Sequence, residues 1–277
     1  MTTLGRNLAG AVDAGTRPTD SLTILDFGAP VRFGAGSYGA TCFSATDATT
    51  STIYTAARSF ALGYYNNINT SGATAKISVG TSNDLIQGWT DAHITEHAAA
   101  WAGLVNNLNS WAAGGYSSRV SFSGASDMEL AFASPGKTRT WVNGFAANIN
   151  NWNLFDYGGA AGCTQVVGGP TSACGTTAYP AWDSSDVWYI SWGSGVSNPA
   201  PEIYLTSGAQ ANQWYALDRY GTDIHPAAGK MNFVSALAED VSGENTPAQA
   251  WNQLDSRING DPLTVDAIRW SSLIIFD

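Results

Sequence analysis

Apolar and polar positions alternate in short runs punctuated by turns, and several runs are followed by apolar residues at helical spacing. Leu22-Thr-Ile-Leu-Asp-Phe27 reads as a strand. Ile53, Ala56, Ala57 and Phe60 then recur at the three-and-four spacing of a helix face. Leu62 to Tyr65 reads as a weaker strand, and Ala75-Lys-Ile-Ser-Val-Gly80 as a clearer one. Trp101, Leu104, Val105, Leu108 and Trp111 form the strongest helical stripe, which Gly114-Gly115 terminates. Arg119 to Gly124 predicts a strand, and Pro135 opens a helix carrying Trp141, Val142, Phe145 and Ile149. Later strands are predicted at Asn153 to Tyr157, Asp186 to Trp192, Glu202 to Thr206 and Met231 to Leu237. Helices are predicted over 208–220 and 247–259.

Strands alternating with helical crossovers give a single α/β domain over 1–277, an irregular (β/α)8 barrel lacking some helices, with a loop excursion at 158–185. The alternative is an open α/β sheet, but no glycine-rich phosphate loop follows the first strand. No cofactor is therefore expected.

Composition narrows the partners. Twelve Lys and Arg against 22 Asp and Glu leave a net charge of −10, which argues against nucleic acid and anionic membranes. No apolar run reaches the ~18–20 residues of a membrane span. Charged residues are only 12 % of the chain; Gly, Ser, Thr, Asn and Gln supply the polarity, beside 11 Trp and 11 Tyr. Such a surface suits an extracellular, monomeric protein that meets sugars. Residues 1–20 show no basic segment followed by an apolar one, so the chain reads as trimmed to its mature form. Cys163 and Cys174 bracket an aperiodic loop that a disulfide would pin, which implies an oxidising compartment. Cys42 reads as a small buried hydrophobe.

The chemistry concentrates in Arg119-Val-Ser-Phe-Ser-Gly-Ala-Ser-Asp-Met-Glu129. Alternation puts Val120 and Phe122 on one face and Ser121, Ser123, Ala125, Asp127 and Glu129 on the other. In a barrel the bulky face packs on helices, and the small polar face ends in two carboxylates at the C-terminal rim, where barrel active sites lie. Neighbouring carboxylates repel, so one pKa rises while the other stays low, the equipment of glycoside hydrolysis. Asp26 and Asp156 end other strands and are expected to support Glu129; Asp84, Glu239 and Asp240 also follow strands. Trp188 and Trp192, read on one strand face with Ile190, are a candidate stacking platform for pyranose rings, with Tyr157 and Trp182 as further candidates.

The order of these features resembles the family-25 glycoside hydrolases, lysozyme-type muramidases, and related barrels of unassigned function. The matching pieces are Ile24-Leu-Asp26, the Asp127-Met-Glu129 strand end, Asp186-Val-Trp-Tyr-Ile-Ser-Trp192 and Gln213-Trp-Tyr-Ala-Leu-Asp-Arg-Tyr220. The first strand departs by continuing Phe27-Gly-Ala-Pro30 where that family carries Ser and Gln. The resemblance implies Glu129 as general acid, Asp127 orienting or stabilising the reacting group, and Asp26 as a rim carboxylate on a bacterial cell-wall glycan.

Two other classes compete. A barrel that binds glycans without hydrolysing them would fit the departure in the first strand. His93-Ile-Thr-Glu96-His97 matches the H-x-x-E-H pattern of inverted zinc peptidases, which needs a helix and a distant third ligand. No metal is the expectation, with His97 instead contacting substrate.

Overall fold

In a computed structural model, residues 1–34, 36–42, 46–167, 172–239 and 241–274 are described, the last four by backbone alone. The elements in chain order begin α1 (Thr2–Asp13), β1 (Asp20–Asp26), β2 (Ala29–Gly34), β3 (Ser37–Thr41), β4 (Asp47–Thr49) and α2 (Thr50–Tyr65). There follow β5 (Thr74–Ser82), α3 (Asp91–Ala113), β6 (Val120–Asp127), α4 (Pro135–Ala146), β7 (Leu154–Asp156) and α5 (Ser184–Trp188). The chain closes with β8 (Ser197–Pro199), α6 (Ala209–Ile224), β9 (Ser235–Glu239), α7 (Pro247–Asn259) and β10 (Trp270–Ile274).

The architecture is α/β. Five strands lie in the order β1-β5-β6-β7-β8, and parallel pairs include β1 with β5 and β7 with β8. A doubly wound sheet reverses its strand order at a switch point; this one follows chain order, as a barrel does. An isolated bridge between Glu202 and Leu237 continues the sequence towards the parallel pair β9 and β10. Among the described residues no pairing joins β10 to β1. No described helix is long and apolar enough to cross a membrane.

The residues group into two compact units between which the chain passes repeatedly. The first holds Met1–Thr81, Ala92–Ala125 and Gly144–Trp152. There α3 covers the sheet: the Trp101 indole donates to Val79 O at 3.0 Å, and Asn109 accepts from Phe122 N and donates to Phe122 O. Phe122 faces Trp111 of α3, while Ser123 bonds Ser78 of β5 at 2.7 Å. The bulky and small faces of β6 therefore separate as alternation predicts. Leu62 to Tyr65 is not a strand; Ile53, Ala57, Phe60, Ala61 and Tyr64 form one continuous buried stripe, so α2 simply runs on.

The second unit holds Ser82–Asp91, Ser126–Asn143 and Asn153–Asp277, including the C-terminal tips of β5 and β6. Asp186 to Trp192 is not a strand. Asp183 and Asp186 form a capping box that opens α5, and a π-helical turn carries on through Tyr189–Gly193. Glu202 to Thr206 also forms no strand beyond the bridge at Glu202; the strand lies earlier, at β8. Helices α6 and α7 fall on the predicted spans, α7 opening with a Thr246–Gln249 capping box and Pro247. The expected disulfide joins Cys163 to Cys174.

Candidate active site

The second unit gathers three acids. One carboxylate oxygen from each of Asp127, Glu129 and Glu202 lies within 4.8 Å of the others, and all three side chains are partly buried. Asp127 is placed by β6, whose alternation turns it to the same face as Ser123. Glu129 lies beyond the strand and is placed by Asn83, just past β5. The Asn83 N–H donates to Asp127 O, its Oδ1 accepts from Glu129 N, and its Nδ2 donates to Glu129 O, each at 3.0 Å. Thr138 of α4 accepts a further bond from that amide. Glu202 follows β8 and is fixed by the bridge to Leu237.

Glu129 and Glu202 each have their own donor. The Gly159 N–H donates to Glu129 Oε1 at 2.5 Å, and the Tyr204 hydroxyl donates to Glu202 Oε1 at 2.5 Å. Burial raises the Glu129 pKa against the Gly159 bond, which favours the anion. Burial raises Glu202 as well, and the charge of Glu129 adds to it, with smaller contributions from Glu239 and Asp156. Two acids this close do not ionise independently: once one has lost its proton, the other holds its own more tightly.

Asp156 ends β7 and is 1 % exposed. Burial pushes its pKa up to about 7, opposed by Ser191 Oγ–H at 2.5 Å and Gly158 N–H at 3.2 Å. Its turn onto Gly158 delivers the next residue, Gly159, to Glu129, so Asp156 supports Glu129 through the backbone and does not stand at a solvated rim.

Several expected contacts lie elsewhere. Asp26 belongs to the first unit and accepts from Gly28 N at 2.8 Å. His97, in the same unit, is fully buried, bonded to Gly39 O at 2.9 Å and stacked on Trp101, and burial lowers its pKa to about 4. It is a core histidine and is not presented to a substrate. Its neighbour Glu96 accepts the Tyr38 hydroxyl, so the H-x-x-E-H segment does not form a metal set among the described residues.

Trp188 and Trp192 do not share a strand face, because their segment is helical. Trp188 is buried, stacked on His225 at 4.1 Å and edge-on to Tyr220. Tyr157 and Trp182 are buried too, Trp182 donating to Ala133 O. Trp192 is partly exposed and bonds Ala228 O at 3.2 Å. The helical turns of α5 explain this, because they replace a two-residue strand period with a helix that turns Trp188 inward. Asp84 caps Leu85, and Glu239 ends β9; Asp240 lies outside the described residues. Cys42 is a partly exposed thiol whose pKa is raised by burial and by the charges of Asp26 and Asp47.

Sequence pattern missed Glu202, Tyr204, Asn83 and Gly159. The one available signal was Pro199-Ala-Pro-Glu202, where prolines end a strand just before an acid. The three clustered oxygens are all hard donors, so they suit Ca²⁺ or Mg²⁺ better than zinc.

No protein-family model matches the chain, and no curated protein matches it. Among solved structures it is similar to a double mutant of a Cellulomonas fimi endo-β-1,4-mannanase, with a TM-score of 0.44, 15 % identity and 82 % of this chain covered. A modular endo-β-1,4-mannanase of the same organism, described as a glycoside hydrolase family 26 enzyme, gives 0.40, 16 % and 82 %. The match spans about half of each, 53 %.

Proposed function

We propose that this protein is a glycoside hydrolase that acts outside the cell on a polysaccharide or cell-wall glycan, using Asp127 and Glu129 as catalytic carboxylates. The observation that carries this reading is the convergence of Asp127, Glu129 and Glu202, with oxygens within 4.8 Å of one another. Acid-catalysed glycosidic cleavage needs a proton donor and an anion on either side of one bond, and carboxylates in unlike environments supply both. Asp156 supports Glu129 through the Gly158–Gly159 turn, and Tyr157, Trp188 and Trp192 are left without a direct role in it. The Cys163–Cys174 disulfide favours an oxidising compartment. A carbohydrate is the partner; no nucleic acid, membrane or cofactor enters this reading.

The test is reducing-end release from chitin-, cellulose- and peptidoglycan-type glycans. Wild type should release reducing ends with EDTA present, and Glu129→Gln should lose turnover with its circular dichroism unchanged. Glycan binding without any product would favour a lectin-like role. Activity lost to EDTA and restored by Ca²⁺ or Mg²⁺ would replace acid–base chemistry with metal-assisted hydrolysis.

A further inference from the structure

Glu129 and Glu202 are held by donors of different kinds. A backbone N–H can only donate, so the Gly159 N–H at 2.5 Å requires an acceptor oxygen on Glu129 throughout the reaction. That bond is strongest to the anion. Asn83 also clamps the main chain on both sides of Glu129, which fixes where its carboxylate stands. A phenol, by contrast, both donates and accepts. By turning its proton, Tyr204 stays bonded to Glu202 whether that acid is ionised or protonated. A group that surrenders and regains a proton each turnover needs such a partner; a nucleophile does not.

We infer that Glu129 is the nucleophile and Glu202 the acid/base of a double displacement that retains the anomeric configuration, with Tyr204 positioning Glu202. This rests on the glycosidase reading and reverses the role that the family resemblance implies for Glu129. The spacing agrees. One oxygen of each acid lies no more than 4.8 Å from the other, short of the ~6.5–9.5 Å that leaves room for an attacking water. The raised pKa of Glu202, with the Glu129 charge among its causes, is also what a proton donor at neutral pH requires.

In the first step a Glu129 carboxylate oxygen bonds the anomeric carbon. The glycosidic C–O bond breaks, and the Glu202 proton passes to the departing oxygen. In the second, water gives a proton to the Glu202 carboxylate while its oxygen bonds the anomeric carbon. The ester bond then breaks, releasing the sugar and restoring the Glu129 carboxylate. Asp127 faces the positive charge that develops on the sugar in both steps.

The experiment incubates wild type with a panel of dinitrophenyl glycosides carrying fluorine in place of the 2-hydroxyl, followed by peptide mass spectrometry. A fluoroglycosyl group on Glu129 is expected. Wild type that hydrolyses glycan while labelling Glu202, Asp127 or nothing overturns the assignment. Wild type that hydrolyses no glycan at all overturns the glycosidase reading instead. Glu202→Ala gives a second readout: on unactivated glycan it should lose on the order of a hundredfold or more. With dinitrophenyl glycosides, whose leaving group needs no proton, the first step should stay fast while release of the sugar from Glu129 slows, and added azide should restore release as a glycosyl azide of retained configuration. An inverted azide from Glu202→Ala would place the nucleophile there and contradict the proposal.

Discussion

Gly159 occupies space that a side chain would take from the Glu129 carboxylate. A Cβ at this position would lie 2.7 Å from Glu129 Oε1, closer than real Cβ contacts come. Gly159→Ala must therefore push the carboxylate aside without touching the fold's core. A misplacement of about an ångström costs on the order of a hundredfold in rate, so kcat/KM should fall ten- to a hundredfold at an essentially unchanged melting temperature. An unchanged kcat/KM would show that the position of Glu129 does not matter. At this scale the sequence was partly readable. Strand alternation marks Asp127, because β6 turns every second side chain the same way. Glu129 could be found by spacing, yet its placement depends on three bonds from Asn83, and hydrophobic pattern carries no trace of a polar clamp. Glu202 depends on a single bridge to a strand more than thirty residues away, which no local pattern encodes.

Local rules fare best on whole elements whose ends carry their own chemistry. Helix α7 was legible because Thr246, Pro247 and Gln249 write a start signal into the sequence. Asp186 to Trp192 misled because Val, Ile, Trp and Tyr favour strands on average. Here the Asp183–Asp186 capping box nucleates a helix, and Ser191 bonds both Val187 O and the buried Asp156, so tertiary contacts outweigh the preference. The segment after β7 is pinned the same way. It begins at Gly159 beside Glu129, closes with the Cys163–Cys174 bridge, and bonds Cys174 N to Trp182 O. Replacing both cysteines by serine should lower stability by about 2–4 kcal/mol, read from denaturant melts, with little change in helical circular dichroism. A loss under ~0.5 kcal/mol would show that the packing of Trp182 alone holds the segment.

Across the molecule, buried acids set the response to pH. Asp156 and Asp218 are fully buried, and burial pushes both pKa values up to about 7. Asp218 accepts from Met231 N at 2.7 Å through one oxygen, while its other has no hydrogen-bond partner among the described residues. Between the unfolded pKa of ~3.9 and 7, the unfolded chain releases protons that the folded one keeps, so stability falls as pH rises. The exposed Asp13 and the half-buried Asp261 act oppositely. Their pKa values are lowered to about 2, by Thr70 and the Leu263 N–H first, so their contribution disappears as pH falls towards 2. Thermal melts should therefore show highest stability near pH ~4–5, and Asp218→Asn should flatten the decline towards pH ~8. A variant as steep as wild type would contradict that. On the proposed mechanism a glycosidic bond is held between Glu129 and Glu202. The most direct test of that placement is a crystal of Glu129→Gln soaked with chitin- and cellulose-type oligosaccharides. The account predicts a sugar ring over the substituted side chain, with its glycosidic oxygen facing Glu202; sugar bound only away from these two positions would contradict it.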